Sequence, residues 1–403
     1  MIYGLIPIMY LAINPMLNDS SSIIRAFIVS SVPPLYLLFK KITFNEYRIE
    51  LLFLSTILFL YLIYWSIFQN QSYPDFLFGA YGRGNGFLPL VGLYLLIIIS
   101  AECFSRDNEL FFRYTYVILS LSIIYGIFQA FGLDIFKYSG SNTGIRLTLG
   151  NANFASALLG IVSAVPLGKF VDNKSKNKPL HLIMYFLTLI LIFQTDSSQG
   201  FILWILTGLL FIYFRLLKSG RLNIRKLIIV NSLFLISLIS ILLVFKDSPR
   251  ILNVWNSFQI QARYEHWLTG LRIWKDHAFF GVGIDNLSKY SGQYMSQGWS
   301  AELGGASVPD KSHNTVIDHF ANGGALVGIL WVGFIVMVSW YAFKIQINRT
   351  TSLESWKIQA LGCIWFTYLL QTFISTDQLF ITFLGYLAAG GVIGVYHREY
   401  SKK

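Results

Sequence analysis

The chain has 403 residues, 55% of them hydrophobic and only 13% charged, and a mean hydropathy of +0.56. A soluble domain carries about 25% charged residues, so the composition excludes an ordinary soluble protein and indicates a polytopic membrane protein. The net charge of +11 calls for no nucleic acid, because the distribution of basic residues along the chain accounts for it.

A helix needs about 20 apolar residues to cross the hydrocarbon core. Twelve segments meet or approach that length: 2–17, 23–39, 50–69, 86–101, 110–131, 152–170, 180–195, 199–217, 227–245, 322–343, 355–374 and 378–396. The first lacks a basic start and a small-residue cleavage site, so it is expected to be a retained span and not a signal peptide. The expected fold class is an all-α polytopic membrane protein with about twelve transmembrane helices. Residues 1–403 form a single membrane domain, and a long, partly helical loop, 246–312, lies between spans nine and ten. With the N-terminus in the cytoplasm, 20 of the 31 Lys and Arg residues fall in inner segments, clearest in RLLKSGRLNIRK. The even span count returns the C-terminal HREYSKK to the cytoplasm and leaves the 246–312 loop outside. Aromatic residues, 17% of the chain, suit the belts at membrane interfaces. Cys103 and Cys363 lie in or beside apolar runs, so no disulfide framework or zinc site is implied.

The charged residues of the spans, Arg25, Glu102, Asp196 and Asp377, sit near span ends. Ion-coupled carriers bury ionisable groups near the midplane, so their scarcity moves the expected chemistry to the outer surface. There, Arg83 in GAYGRGNGF, Arg146 in TGIRLTLGNANFAS and Arg263 in QARYEHW stand alone in uncharged polar surroundings. Arginines converging from separate loops suit a planar, bidentate partner such as a diphosphate. A single interfacial arginine otherwise serves as a snorkelling anchor.

Within the long loop, Ala262–Ala278 has helical periodicity. Tyr264, Trp267, Leu268, Leu271 and Trp274 share one face, and Glu265, Thr269, Arg272 and Asp276 share the other. This spacing predicts an amphipathic helix with its aromatic face on the membrane or the bundle. Arg272 is expected to pair with Asp276 at i+4, leaving Arg263 for a site, and His266 and His277 are read as surface histidines. The FFGVGIDNL run that follows is turn-rich but has no Walker or Rossmann context.

The segment KSHNTVIDHFANGGALVGIL runs from polar loop into apolar helix. His313 and Asn314 therefore stand at the membrane surface, above the small residues Ala321, Gly323, Gly324 and Gly328. They either form the mouth of a site over closely packed helices or merely cap and solvate a helix end. HExxH, CxxC and G-x-S-x-G motifs are absent. The outer acids Asp75, Asp134, Asp285, Glu302 and Asp310 lack the spacing that cages a divalent cation, so chemistry without a bound metal is expected.

Four signatures in this order resemble the O-antigen ligase and polymerase family of bacterial membrane glycosyltransferases. They are YGRGNGFLPL, IRLTLGNANFASALL, a short turn ending in TDSSQGF, and a large loop. The loop opens RYEHWLTGLRIW, continues FFGVGIDNL and closes SHNTVIDHFANGGALVGILW. The turn holds Ser197-Ser198-Gln199-Gly200 where members often carry Ser-Arg.

The resemblance implies a metal-independent enzyme without a cofactor, in the bacterial inner membrane, with its active site on the periplasmic side. Its donor is a glycan on undecaprenyl diphosphate. Its acceptor is lipid A–core in ligases, a second lipid-linked repeat in polymerases of O-antigen, capsule or exopolysaccharide, or a protein hydroxyl in a third branch. Arg83, Arg146 and Arg263 would bind the diphosphate and stabilise the charge growing on it. His313 would act as general base on the acceptor hydroxyl; His319, six residues on and off that face, is its competitor. Asn151, Asn153 and Asn314 either bind sugar hydroxyls or cap helices, and Asp377 would orient His313 or an arginine. The rival of another class is a flippase or transporter of lipid-linked sugar, which would move its substrate without breaking a bond.

Overall fold

The computed structural model describes residues 2–13, 22–40, 42, 44–68, 70–80, 83–136, 144–219, 258–302, 308–348 and 353–400. Among them the ordered elements are helices, with no strand. The first half of the chain forms α1 (Leu5–Leu11), α2 (Ser22–Phe39), α3 (Arg48–Phe68), α4 (Tyr73–Phe78), α5 (Phe87–Arg106), α6 (Glu109–Ala130), α7 (Ala152–Val162), α8 (Ala164–Val171), α9 (Lys178–Phe193) and α10 (Ser198–Lys218). The second half forms α11 (Phe258–Asp276), α12 (Leu287–Tyr294), α13 (Gln297–Glu302), α14 (Thr315–Ile347), α15 (Ser355–Ile374) and α16 (Leu379–Tyr400).

Among the described residues seven helices are long and apolar enough to cross a membrane, with α7 and α8 counted as one continuous segment. Three more, Ile2–Leu11, Ile23–Phe39 and Lys178–Phe193, are apolar but shorter. Helices stand at the expected span positions except 227–245, which lies outside the described residues, as does 246–257 of the long loop. The first expected span is helical over Ile2–Leu11. Arg25, expected at a span end, is fully buried in the bundle. Its guanidinium donates to the carbonyls of Met9 at 2.8 Å and Tyr10 at 3.3 Å, closing the end of α1, and to Thr148 at 3.0 Å.

α16 is almost wholly enclosed, and α5 packs along it. A side chain at Gly394 would strike the carbonyl oxygen of Ala101, so the small residue sets the close approach of the two backbones. This pair forms the apolar centre against which α2, α3, α14 and α15 assemble.

α14 begins at Thr315, seven residues before the expected span, because Asn314 caps it. The Asn314 side chain accepts from the backbone N–H groups of Val316 and Ile317 at 3.0 and 3.2 Å. The helix is then broken at Gly324, whose φ of 71° and ψ of −173° only glycine adopts readily. The FFGVG segment runs into the break. Val282 N donates to Ala321 O at 2.9 Å, Gly283 N to Asn322 O at 2.8 Å, and Ala325 N to Ala278 O at 2.7 Å. Backbone groups freed by the break are thus satisfied by protein, as a low-dielectric surrounding demands. The break also locks the loop after α11 to the head of α14.

Gly324→Ala should therefore lower the thermal midpoint of the purified protein, reflecting roughly 1–3 kcal/mol of backbone strain plus a clash with the Phe279 carbonyl. Gly298→Ala, where an added Cβ meets nothing within 4 Å, should leave the midpoint unchanged.

Candidate functional site

The head of α14 is organised by a buried ion pair. Lys311 Nζ lies 2.6 Å from Asp285 Oδ1, with side chains 6% and 2% exposed. The other Asp285 oxygen accepts from Ala80 N at 2.8 Å. Asp285 therefore joins three segments: the one at Ala80, the 281–286 turn and the 308–314 turn. Asp318, in the first turn of α14, accepts from Ser312 N at 2.8 Å and Ser312 Oγ at 2.7 Å. Asp377 accepts from Thr315 Oγ1 at 3.0 Å. Burial disfavours the Lys311 ammonium, but Asp285, Asp318 and Asp377 outweigh it and hold its proton above the usual lysine range. Burial pushes the Asp377 carboxyl above its ordinary value, and Lys311 opposes this. The pair itself lines a cavity of about 50 Å³ together with Tyr61, Asn85, Asp318, His319 and Asp377. His319 lines this cavity and stacks on Trp331 at 4.5 Å.

Arg83, Asp310 and His313 form a second group. Arg83 Nε donates to Asp310 Oδ2 at 2.5 Å, and a second guanidinium nitrogen reaches the same oxygen. Burial raises the Asp310 carboxyl, yet the Arg83 guanidinium brings it below the ordinary carboxylate value. His313 adopts a left-handed φ of 55°, a conformation a non-glycine residue holds only where its surroundings fix it. Here Trp267 Nε1 donates to the His313 carbonyl at 3.4 Å. The His313 ring stacks on His266, centroids 4.8 Å apart and planes at 29°. Burial and the charges of His266, Arg263 and Arg83, partly offset by Asp310, push its imidazole down to about 4. The ring is therefore neutral near pH 7 and able to accept a proton. Burial also lowers the Arg263 guanidinium.

α11 divides its aromatic face, with Trp267 and Trp274 against the His313 turn and Phe320, and it also buries residues of the opposite face. Glu265, Thr269, Gly270 and Ile273 are buried, while Tyr264 and Leu271 are 53% and 40% exposed. The buried carboxylate is tolerated because Arg272 donates to it at 2.8 Å and Ser296 N at 2.7 Å. Arg272 thus pairs with Glu265 seven residues back, and also donates to Tyr294 O at 2.9 Å; this replaces the expected i+4 pair with Asp276. His266, expected at the surface, is half-buried against His313.

Arg83, Arg263 and His313 therefore share one electrostatic neighbourhood. Arg146, Asn151 and Asn153 form another group, built on Gln129, Gln194 and Ser197. Arg146 is buried, and its backbone N–H donates to Gln129 Oε1 at 3.2 Å. Ile145 N donates to Gln194 O at 3.1 Å. Asn151 caps α7 through Asn153 N at 2.8 Å, and Asn153 Oδ1 accepts from Ser197 Oγ at 2.7 Å. Asn151 and Asn314 are thus both helix caps. Asp377 accepts from Thr315 and feels the charge of Lys311. Sequence reasoning missed Lys311, Asp318 and the roles of Asp285, Asp310 and His266. The adjacency of Lys311 to His313, and the i, i+3 spacing of Arg263 and His266, were the available signals. Among the described residues no three His, Cys, Asp or Glu side chains converge as a metal site would require.

Residues 183–332 match the model of the O-antigen ligase family. The match includes Arg263 and His313 and leaves Arg83, Arg146 and Asp377 outside it. No curated protein matches the chain. The match covers part of the chain; it supports a likeness to the O-antigen ligase family and glycan transfer of the O-antigen ligase or polymerase type. Together with the seven long apolar helices, it supports a membrane location.

Lys311→Met leaves Asp285 buried without its counter-charge and should destabilise the protein by about 3–5 kcal/mol. The double variant Lys311→Met/Asp285→Asn should recover most of that loss in a thermal or denaturant melt. An additive double variant would show that the two side chains are energetically independent.

Proposed function

Taking the O-antigen ligase domain as the premise, we propose that the protein transfers a glycan from undecaprenyl diphosphate to lipid A–core at the periplasmic face of the bacterial inner membrane. The observation that carries this reading is the grouping of Arg83 and Arg263 around a neutral, half-buried His313.

In this scheme Arg83 and Arg263 hold the donor diphosphate, with Arg146 a third contact from the neighbouring group. Cleavage of the sugar–phosphate bond leaves negative charge on the departing diphosphate, and fixed guanidinium groups stabilise that charge where it develops. His313 takes the proton of the acceptor hydroxyl, whose oxygen attacks the anomeric carbon directly and inverts it. Asp310 holds the Arg83 guanidinium in place. Asn151, Asn153 and Asn314 are the amides on offer to sugar hydroxyls, beyond the capping bonds of Asn151 and Asn314 and the bond from Ser197 to Asn153. Asp377 acts at one remove, through the Thr315 hydroxyl and the Lys311 ammonium. A repeat-unit polymerase would use the same residues and differ only in the acceptor, and the matched family supports both readings.

The test is transfer by purified protein in the presence of EDTA, with lipid-linked glycan as donor and either lipid A–core or a second lipid-linked repeat as acceptor. Transfer to lipid A–core that is lost in His313→Ala supports the ligase reading; chain growth on the repeat makes the protein a polymerase. Transfer to neither, or full activity without His313, overturns the scheme. Alanine variants of Arg83, Arg146 and Arg263 should each lower kcat/KM by about 10–100-fold, since a hydrogen bond to a charged group contributes about 1.5–3 kcal/mol.

The acid limb of kcat/KM reports the free enzyme's base. It should fall near pH 4, where His313 protonates, with activity retained at higher pH. A limb at the ordinary imidazole value of about 6.5 would contradict the assignment.

A further inference from the structure

His266 is the group in this neighbourhood that the transfer scheme leaves unused. It follows Arg263 by three residues on α11 and immediately precedes Trp267. Trp267 holds the His313 carbonyl. A side chain at Gly270 would meet Ile317 at 2.6 Å and Ser312 at 3.0 Å, so this face of α11 lies flat on the His313 turn. The His266 Nδ1 atom is buried without a hydrogen-bond partner among the described residues. The two stacked rings offer each other faces and not nitrogen lone pairs, so no proton passes directly between them. The stack can instead restrict rotation of the His313 ring, shield one face from water and make two positive charges at this separation costly.

We propose that His266 is a positioning residue for His313, closing one face of its imidazole, fixing the plane of that ring and keeping it in the proton-accepting form. The proposal rests on the reading of His313 as the base and adds a second side chain through which that base is prepared. Four charged or titratable groups face His313: His266 and Arg263 from α11, Arg83 from the segment before α5, and Asp310 from its own turn. Glu265 is turned away, toward Arg272 and Ser296. Burial brings His266 itself below the usual imidazole value, with Arg263 lowering it further against Asp310 and Glu265. Near neutral pH both rings are uncharged. As pH falls, a proton on either ring repels a proton from the other. Removing the His266 nitrogens removes that repulsion, so His313 should bind its proton at higher pH.

The experiment uses full-length protein in detergent with its histidines labelled at Cε1. The His313 resonance is identified by its loss in His313→Ala and titrated by NMR. His266→Phe keeps a stacking ring without nitrogen, and His266→Gln removes the ring. Both should raise the His313 midpoint by about one pH unit, the lower end of the effect of a neighbouring charge. The acid limb of kcat/KM should move the same way. Loss of kcat at pH 8 should fall short of the roughly 10²–10⁴-fold contribution of a general base, and be smaller for His266→Phe. An unmoved midpoint in both variants overturns the proposal. If the midpoint rises but His313→Ala still transfers fully, the coupling stands and the base reading alone fails.

Discussion

The contact between Lys311 and Asp285 is the constraint on which the head of the bundle depends. Two charges are removed from water there, which is unfavourable unless each is fully engaged. Asp285 is engaged on both sides, by the Lys311 ammonium and by the Ala80 backbone. Lys311 in turn sits among Asp285, Asp318 and Asp377. Breaking one partner strands the other, so the three turns that meet at Asp285 are expected to move as a unit. Those turns carry Arg83, Asp310 and His313.

The broken helix supplies the second constraint. Were α14 continuous through Gly324, the carbonyls of Ala321 and Asn322 would be engaged within the helix. Instead they accept from Val282 and Gly283, which fixes the end of the α11 loop against α14. α11 then lays Arg263, His266 and Trp267 along the His313 turn. The ion pair and the helix break thus act together. One ties the Arg83 turn to the His313 turn, and the other ties the Arg263 helix to the same place.

Helix positions were legible in the sequence because apolar length is a local property. Orientation and partnership were not, because they depend on contacts distant in sequence. α11 shows the difference. Its periodicity is visible, with the aromatic face expected on the membrane or the bundle. The structure also buries Glu265 and Thr269 of the other face, because Arg272 and the Ser296 backbone satisfy the carboxylate. The arginines and His313 stand out in the sequence by their place in polar loops near helix starts. Lys311 passed as one more basic loop residue because its counter-ion lies 26 positions earlier. Asn151 and Asn314 were left open between capping and ligand binding, and the structure gives both a capping bond. His266 was read as a surface residue because nothing in its helix signals the stacked ring that arrives from the 308–314 turn.

The most direct test of this account is a cryo-electron microscopy structure of the protein with an undecaprenyl-diphosphate-linked glycan bound. The account predicts the diphosphate within hydrogen-bonding distance of Arg83 and Arg263, with the His313 ring facing the first sugar and still stacked on His266. A diphosphate seated away from both arginines, with His313 out of reach of the sugar, would contradict it.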